Sequence, residues 1–317
     1  MAPGLMCVKE TVMEAETSKV VSLSEAVERF VSDGDSVAVG LALENLIPFA
    51  AGHEIVRQGK KELTLIGPIS DVLFDQLIGA GLVKRIKAAW VGNVSTGLGY
   101  RFRQAVEEGE VEMIDYSNFA LSLALQAEAS GMPSLTTLSL LGTDVMADNP
   151  DIAETSCPFS GQRLAAVRAL RPDVTIVHVQ RADSEGNSHI WGPYGVTVEG
   201  AKAARKLIVV CEELVSPEVI RADPNRCLIP GFLVDAVVVE PWGGHPSGVQ
   251  GYYGHDDAYY LDYARRTRDP KEAKAWQTDW IDSLADRGEY LKALGPNRMQ
   301  SLMVSRPAPA PAVEFGY

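Results

Sequence analysis

The residues best suited to chemistry stand in short loops that carry glycine. His245 lies in Pro241-Trp-Gly-Gly-His-Pro-Ser247, directly after the apolar run Val234–Val239. A histidine there can move a proton or orient an acid, and two glycines let backbone approach a ligand closely. The competing reading is a plain turn in which His245 packs on Trp242. Glu44-Asn45 follows the run Ser36–Gly40. Its carboxylate suits covalent or acid–base catalysis, or only the positive end of the next helix. Three further loops, Gly67 to Ser70, Gly92 to Gly99 and Gly142-Thr143-Asp144, pair glycine with small polar groups. Together such loops suit hydrogen bonding to a polar ligand in one composite cleft. His53 and His178 fall inside a helical and a strand segment and read as structural.

The elements that must position these loops follow from hydrophobic patterning. Ser22 and Glu25 have capping-box spacing, with Val21 placed as a staple, before a helix that ends at Asp33-Gly34. Ser36–Gly40, Leu63–Ile66, Val83–Val91 and Val111–Ile114 read as strands. Pro48–Gly59, Asp71–Gly79, Phe102–Glu108 and Asn118–Ser130 read as the intervening helices. Val174–Val179, Leu207–Val210 and Val234–Val239 are further strands, and Thr155–Ala169 reads as a small antiparallel excursion. Asp269-Pro270 opens a helix, and Gly295-Pro296 closes the region. Strands that are apolar throughout are buried on both faces. The expected fold is α/β, three-layered, with a mainly parallel open sheet and helices on both faces. Ligands bind such sheets beyond the carboxyl ends of the strands, where the loops above lie. The expected organisation is a mobile leader at 1–17, one domain over 18–302, and a Pro/Ala-rich tail at 303–317.

Composition narrows the function classes. The 317 residues are 46% hydrophobic with a formal net charge of −13, ordinary for a globular chain that can bury a sizeable core. The acidic balance argues against nucleic-acid binding, and no apolar run approaches the ~20 residues that span a bilayer. The four cysteines, Cys7, Cys157, Cys211 and Cys227, form no C-x-x-C pair. Reduced thiols, no metal site, no signal peptide and a cytoplasmic location are expected. Lys84, Arg85 and Lys87 read as a solvated strand edge. No P-loop, nucleophile-elbow or zincin motif occurs, and Gly97-Leu98-Gly99 lacks the third glycine of a dinucleotide fingerprint.

Asp33-Gly34-Asp35-Ser36-Val37-Ala38-Val39-Gly40, with Pro48 after it, resembles the N-terminal signature of class I coenzyme A transferases. It departs at Leu41, Ala42 and Leu46, where the pattern has Gly, Phe and Gly. Leu140–Asp144, Cys157–Gly161, Arg171–His178, Ala182–Asn187, Ile190–Gly192, Val210–Glu213, Ile229–Gly231, Val234–Val237 and Gly244–Ser247 resemble, in order, the alpha subunit of the glutaconate CoA-transferase type. The resemblance implies transfer of CoA between carboxylic acids through a glutamyl anhydride and a glutamyl-CoA thioester, with CoA as substrate and no tightly bound cofactor. It places the nucleophilic glutamate on a beta subunit, and the matching segment here, Leu65–Ser70, has none. This chain then carries no catalytic residue of its own and supplies one wall of a shared cleft in a hetero-oligomer. Strand-end position and resemblance together give the substrate- and CoA-binding candidates: Gly40, Ser70, Asn93, Ser95, Gly142, Thr143, His245 and Ser247. Relatives that hydrolyse a CoA thioester during ring opening, or decarboxylate glutaconyl-type esters, form the alternative. The ring-opening type carries a glutamate near the segment here occupied by Asp115–Asn118, which has only Asp115. A non-catalytic ligand sensor on the same scaffold is the alternative of another class.

Overall fold

The computed structural model describes residues 18–305. The expected leader at 1–17, and the expected tail from 306 onward, lie outside the described residues. Seven parallel strands run through the molecule: β1 (Ser36–Val39), β2 (Leu63–Ile66), β3 (Val83–Ala88), β4 (Glu112–Asp115), β5 (Val174–Ala182), β6 (Lys206–Leu214) and β7 (Ala236–Val239). Their order across the sheet is β4-β3-β2-β1-β5-β6-β7. The short strands Ser188–His189 and Cys227–Ile229 add an antiparallel appendage at the end of β5.

Alternate strand residues face two different helical layers. Val37, Val39, Ile176, Ile208 and Val238 share a core with α1 (Leu23–Phe30), α2 (Phe49–Gln58), α3 (Asp71–Gly79) and α4 (Tyr100–Glu107). Ala38 and Ile66 pack instead on α5 (Asn118–Ala129), and Val177, Val209 and Val237 pack with Ala201 of α6 (Thr197–Ala203). Both faces are therefore dry along β1, β2, β5, β6 and β7, which explains their apolar runs, whereas β3 and β4 are partly exposed. The C-terminal helices α7 (Asp257–Arg266), α8 (Pro270–Gln277), α9 (Arg287–Leu294) and α10 (Pro296–Leu302) follow. α7 to α9 add Tyr259, Tyr263, Trp276 and Tyr290 to the first core.

Local signals acted as their chemistry dictates. The Ser22 hydroxyl accepts from Glu25 N–H at 3.1 Å, but the Glu25 carboxylate turns to Arg29, so half of the capping box forms. Gly59 closes α2 at φ 65°, and Asp269 caps α8. Three corrections apply. The strand from Val83 stops at Ala88, because Trp90 leaves β4's register to bridge Ile69. Gly295-Pro296 opens α10 instead of closing the region, with Pro at a position that needs no N–H. Met303 and Val304, expected in the tail, pair with Tyr253 and Tyr252. The antiparallel excursion is wider than expected, a separate sheet of Ser134–Thr137, Arg163–Arg168 and Ile152–Ser156. Lys84, Arg85 and Lys87 each hold a carboxylate, Lys87 reaching Asp151 at 2.6 Å with only 16% side-chain exposure.

Leu65 is wholly buried between β1 and β3. Leu65→Ala should cost about 2–5 kcal/mol of unfolding free energy, read as a lower denaturant midpoint.

Candidate functional site

Strand order reverses at β1. From there the chain steps outward through β2, β3 and β4, then returns to place β5, β6 and β7 on the other side. Such a switch point opens a crevice beyond the carboxyl ends, between β1 and β5. The loop after β1 fills its base. Leu41, Ala42 and Leu46 are buried, and Leu41 O accepts from Val196 N–H. Leu46 N–H donates to Gly248 O, and Ile47 N–H donates to the Ser247 hydroxyl at 3.1 Å.

Neighbouring strand-end loops lock onto this one. The Ser70 hydroxyl donates to Val39 O at 3.0 Å, and a Cβ on Gly40 would sit 2.8 Å from Ser70 Cβ. Glycine at 40, with φ 70°, is thus demanded by both space and conformation. Asn93, in the hairpin after β3, donates to Asp71 Oδ1 at 3.0 Å. Non-glycine residues at positive φ concentrate here: Leu43 (70°), Leu46 (52°), Asp71 (52°) and Trp242 (63°). Backbone held in such sparsely populated regions costs energy that the surrounding contacts must sustain.

The fold brings Gly40, Ser70, Asn93 and Ser247 together, but with side chains turned inward. Ser70, Asn93, His245 and Ser247 are all buried. They tie loops together, so in this conformation the loops present backbone and not these side chains. His245 is the sharpest correction. Its Nδ1 takes the Tyr290 hydroxyl at 2.7 Å, and its Nε2 meets Asp256 Oδ2 at 2.9 Å. The ring has no exposed surface and no free nitrogen, so it cannot meet a ligand there. Its neighbours are Trp242 and Tyr259, and Arg287 donates to the His245 and Trp242 carbonyls. Gly142 and Thr143 are also relocated. Their preceding strand belongs to the antiparallel sheet, and Thr143 caps the short helix Asp144–Asp148. Ser95 is exposed at the hairpin loop, its N–H donating to Asn93 Oδ1.

Burial dominates the electrostatics. It drives His245 down to about 4, against the raising influence of Asp256. Burial alone would raise Asp256, but hydrogen bonds from His245 and Arg298 outweigh it and hold the carboxyl below its ordinary range. Asp71 goes the other way. Burial pushes it up to about 7, although hydrogen bonding from Asn93 and Val72 opposes this. Its Oδ2 has no hydrogen-bond partner among the described residues, and the Tyr260 hydroxyl faces it without reaching bonding geometry. The nearby Glu44, whose Oε1 is likewise buried and unpartnered, adds to the rise. Sequence reasoning missed Asp71 because Ser70-Asp71 reads as an ordinary helix start; no pattern announces its positive φ. His53 and His178 are structural as expected, bonded to Gln76 and to Glu212.

The family model described as Coenzyme A transferase matches residues 20–240. The chain belongs to the coenzyme A transferase family. It is 41% identical over 276 residues to the A-type subunit of 3-oxoadipate CoA-transferase of Pseudomonas knackmussii, spanning 86% of this chain and 97% of that one. The crystal structure of glutaconate coenzyme A-transferase from Acidaminococcus fermentans superposes with a TM-score of 0.87 at 34% identity, covering 90% and 96% of the two chains. The decarboxylase AibA/AibB shares the scaffold at a TM-score of 0.72 and 27% identity, covering 83% and 100%. None of the helices among the described residues is long and apolar enough to cross a membrane.

In this coenzyme A transferase chain, the two enclosed groups give opposite pH signatures. His245 has a depressed value, so its contribution is complete above about 6.5 and lost as pH falls toward 4. Asp71 has a raised value, so its contribution is complete below 3.8 and lost as pH rises through about 7. The stability gap between wild type and His245→Gln should narrow from pH 6.5 to 4. Asp71→Asn should gain on wild type from pH 4 to 7. Denaturant melts across that range read both.

Proposed function

We propose that this chain is the alpha-type subunit of a hetero-oligomeric CoA-transferase that moves CoA between an acyl-CoA and a short-chain or dicarboxylic acid. The observation that carries the reading is the loop after β2. In a chain 41% identical to the A-type subunit of a CoA-transferase, this segment, Gly67–Ser70, holds no glutamate. The carboxyl that follows, Asp71, is fully enclosed and raised to about 7. A nucleophile must be within reach of the thioester, and a carboxyl enclosed this completely is not. On this reading, which the family resemblance implies, the reacting glutamate belongs to a beta subunit that closes the cleft. The proposed unit is one domain over 18–302, acting in the cytoplasm without a tightly bound cofactor, nucleic acid or membrane.

The steps follow from carboxylate chemistry. The partner's glutamate attacks the thioester carbonyl, giving an acyl-glutamyl anhydride and CoA thiolate. The thiolate attacks the glutamyl carbonyl, forming glutamyl-CoA thioester and releasing the first acid. The acceptor carboxylate repeats both steps in reverse, regenerating the glutamate and releasing the new acyl-CoA. Such ping-pong transfer needs loop amides fixed before reaction, because preorganised donors stabilise the tetrahedral oxyanions without reorganisation. Gly40 and Ser95 remain the proposed contacts on this chain, whereas Gly142 and Thr143 follow the antiparallel sheet. Ser70, Asn93, His245 and Ser247 contribute by holding their loops.

Co-purification with a candidate beta subunit tests the reading. The complex should consume acyl-CoA only when an acceptor such as acetate is present, with parallel double-reciprocal lines. Acyl-CoA should also leave a borohydride-reducible glutamyl adduct on the partner, and this chain alone should be inactive. Equal consumption without an acceptor would replace transfer with hydrolysis or decarboxylation. Ligand binding without any turnover by the complex would leave a sensor.

A further inference from the structure

The hairpin loop after β3 borders a cationic cavity in a chain of formal net charge −13. The cavity, about 240 Å³, lies between that loop and α7 and is lined by Ser95, Thr96, Leu261, Arg265 and Arg268. Arg268 is exposed, with its guanidinium 5.4 Å from the Tyr100 ring centre, and Arg103 approaches the same ring at 5.9 Å. Neither arginine pairs with a carboxylate among the described residues, whereas Arg266 is committed to Glu272 and Asp279. Arg265 holds only Asp262 and keeps 70% of its side chain exposed. A pair of that kind is worth about 0.2–1 kcal/mol, so an arriving anion can compete for it.

Basic residues in a last turn offset the helix dipole, and Arg265 and Arg266 fit that explanation. Arg268 lies beyond the helix end and does not. The Ser95 and Thr96 side chains make no hydrogen bond among the described residues, while Leu261 and Val94 expose 60% and 66% of their surface nearby. Two guanidinium forks, two free hydroxyls and an apolar rim match an elongated ligand that carries phosphates at one end. The loop also connects to the candidate site through Ser95 N–H to Asn93, and Asn93 to Asp71.

We propose that this cavity binds the phosphate-bearing nucleotide end of the CoA thioester, with Arg265 and Arg268 pairing to phosphate oxygens and Ser95 and Thr96 donating to them. The proposal rests on the CoA-transferase reading for the identity of the ligand. Phosphates are remote from the reacting carbonyl, so binding there can be used to position the thioester against the loops.

The test uses the purified two-chain complex with Arg268→Ala and with Arg265→Ala/Arg268→Ala, both at exposed positions. Calorimetry with adenosine 3′,5′-bisphosphate should show binding to wild type, weaker by about tenfold or more in the double variant and sensitive to salt. The ratio of kcat/KM for acyl-CoA over acyl-pantetheine should fall by a similar factor. Unchanged bisphosphate affinity together with an unchanged ratio overturns the site. So does weakened assembly of the two chains with unchanged nucleotide affinity, which would place the arginines against an acidic surface of the partner. The calorimetric readout needs no turnover. Arginine-dependent binding without transfer would overturn the transferase reading and keep the site; transfer with arginine-independent binding would do the reverse.

Discussion

The reversal of strand order at β1 is the constraint from which the remaining architecture follows. A strand with successors on opposite sides leaves a crevice at its end that no crossover helix covers. The chain fills it with its own loop, and buried backbone must then find partners. Ile47 N–H uses the Ser247 hydroxyl, Leu46 N–H uses Gly248 O, and Val39 O uses the Ser70 hydroxyl. The loops after β2 and β7 are thereby fixed by the loop after β1. The glycines follow from the same crowding: any Cβ at Gly195 would meet Leu41 O at 2.3 Å.

Beneath the loop after β7, buried polar groups are gathered around two carboxylates. Glu212 takes His178, the Tyr253 hydroxyl and Trp242 N–H. Asp256 takes His245, Arg298 and Tyr259 N–H, while Arg287 collects carbonyls of the loop above. A buried charge with its hydrogen bonds made is tolerable, and one without them is costly. The carboxylates in the loops after β1 and β2 are less fully bonded. There Asp71 and Glu44 each keep an oxygen without a partner, beside three residues at positive φ. Unpartnered carboxylate oxygens and strained backbone thus coincide at the carboxyl ends of β1 and β2.

Most of the fold was legible because apolar runs and helix punctuation are local. Leu63–Ile66 and Asp71–Gly79 have the bounds their patterns imply. The sheet order was not legible, since nothing in a strand's composition names its neighbour. The helix α7 was missed for a related reason: its buried Tyr259, Tyr260 and Tyr263 face a core that includes Trp276 and Tyr290 from later in the chain. At the site, sequence located the loops but not the direction of their side chains. His245 looked available because Gly-Gly-His-Pro reads as an open turn. It is closed by Asp256 and Tyr290, of which Tyr290 is 45 residues away.

Inward side chains also bear on why such a chain would act with another. A loop stiff enough to hold amides in place must commit its polar side chains to itself, as Ser70, Asn93 and Ser247 do. What remains outward is backbone, together with tips such as Leu43, 37% exposed at positive φ, and Val94. Covalent transfer needs the opposite property, a carboxylate that is ionised, reachable and free to move through an anhydride and a thioester. One short loop cannot be both rigid frame and mobile nucleophile. On the proposed reading the frame stands here and the glutamate on a facing chain, which fits a loop after β2 that carries no glutamate.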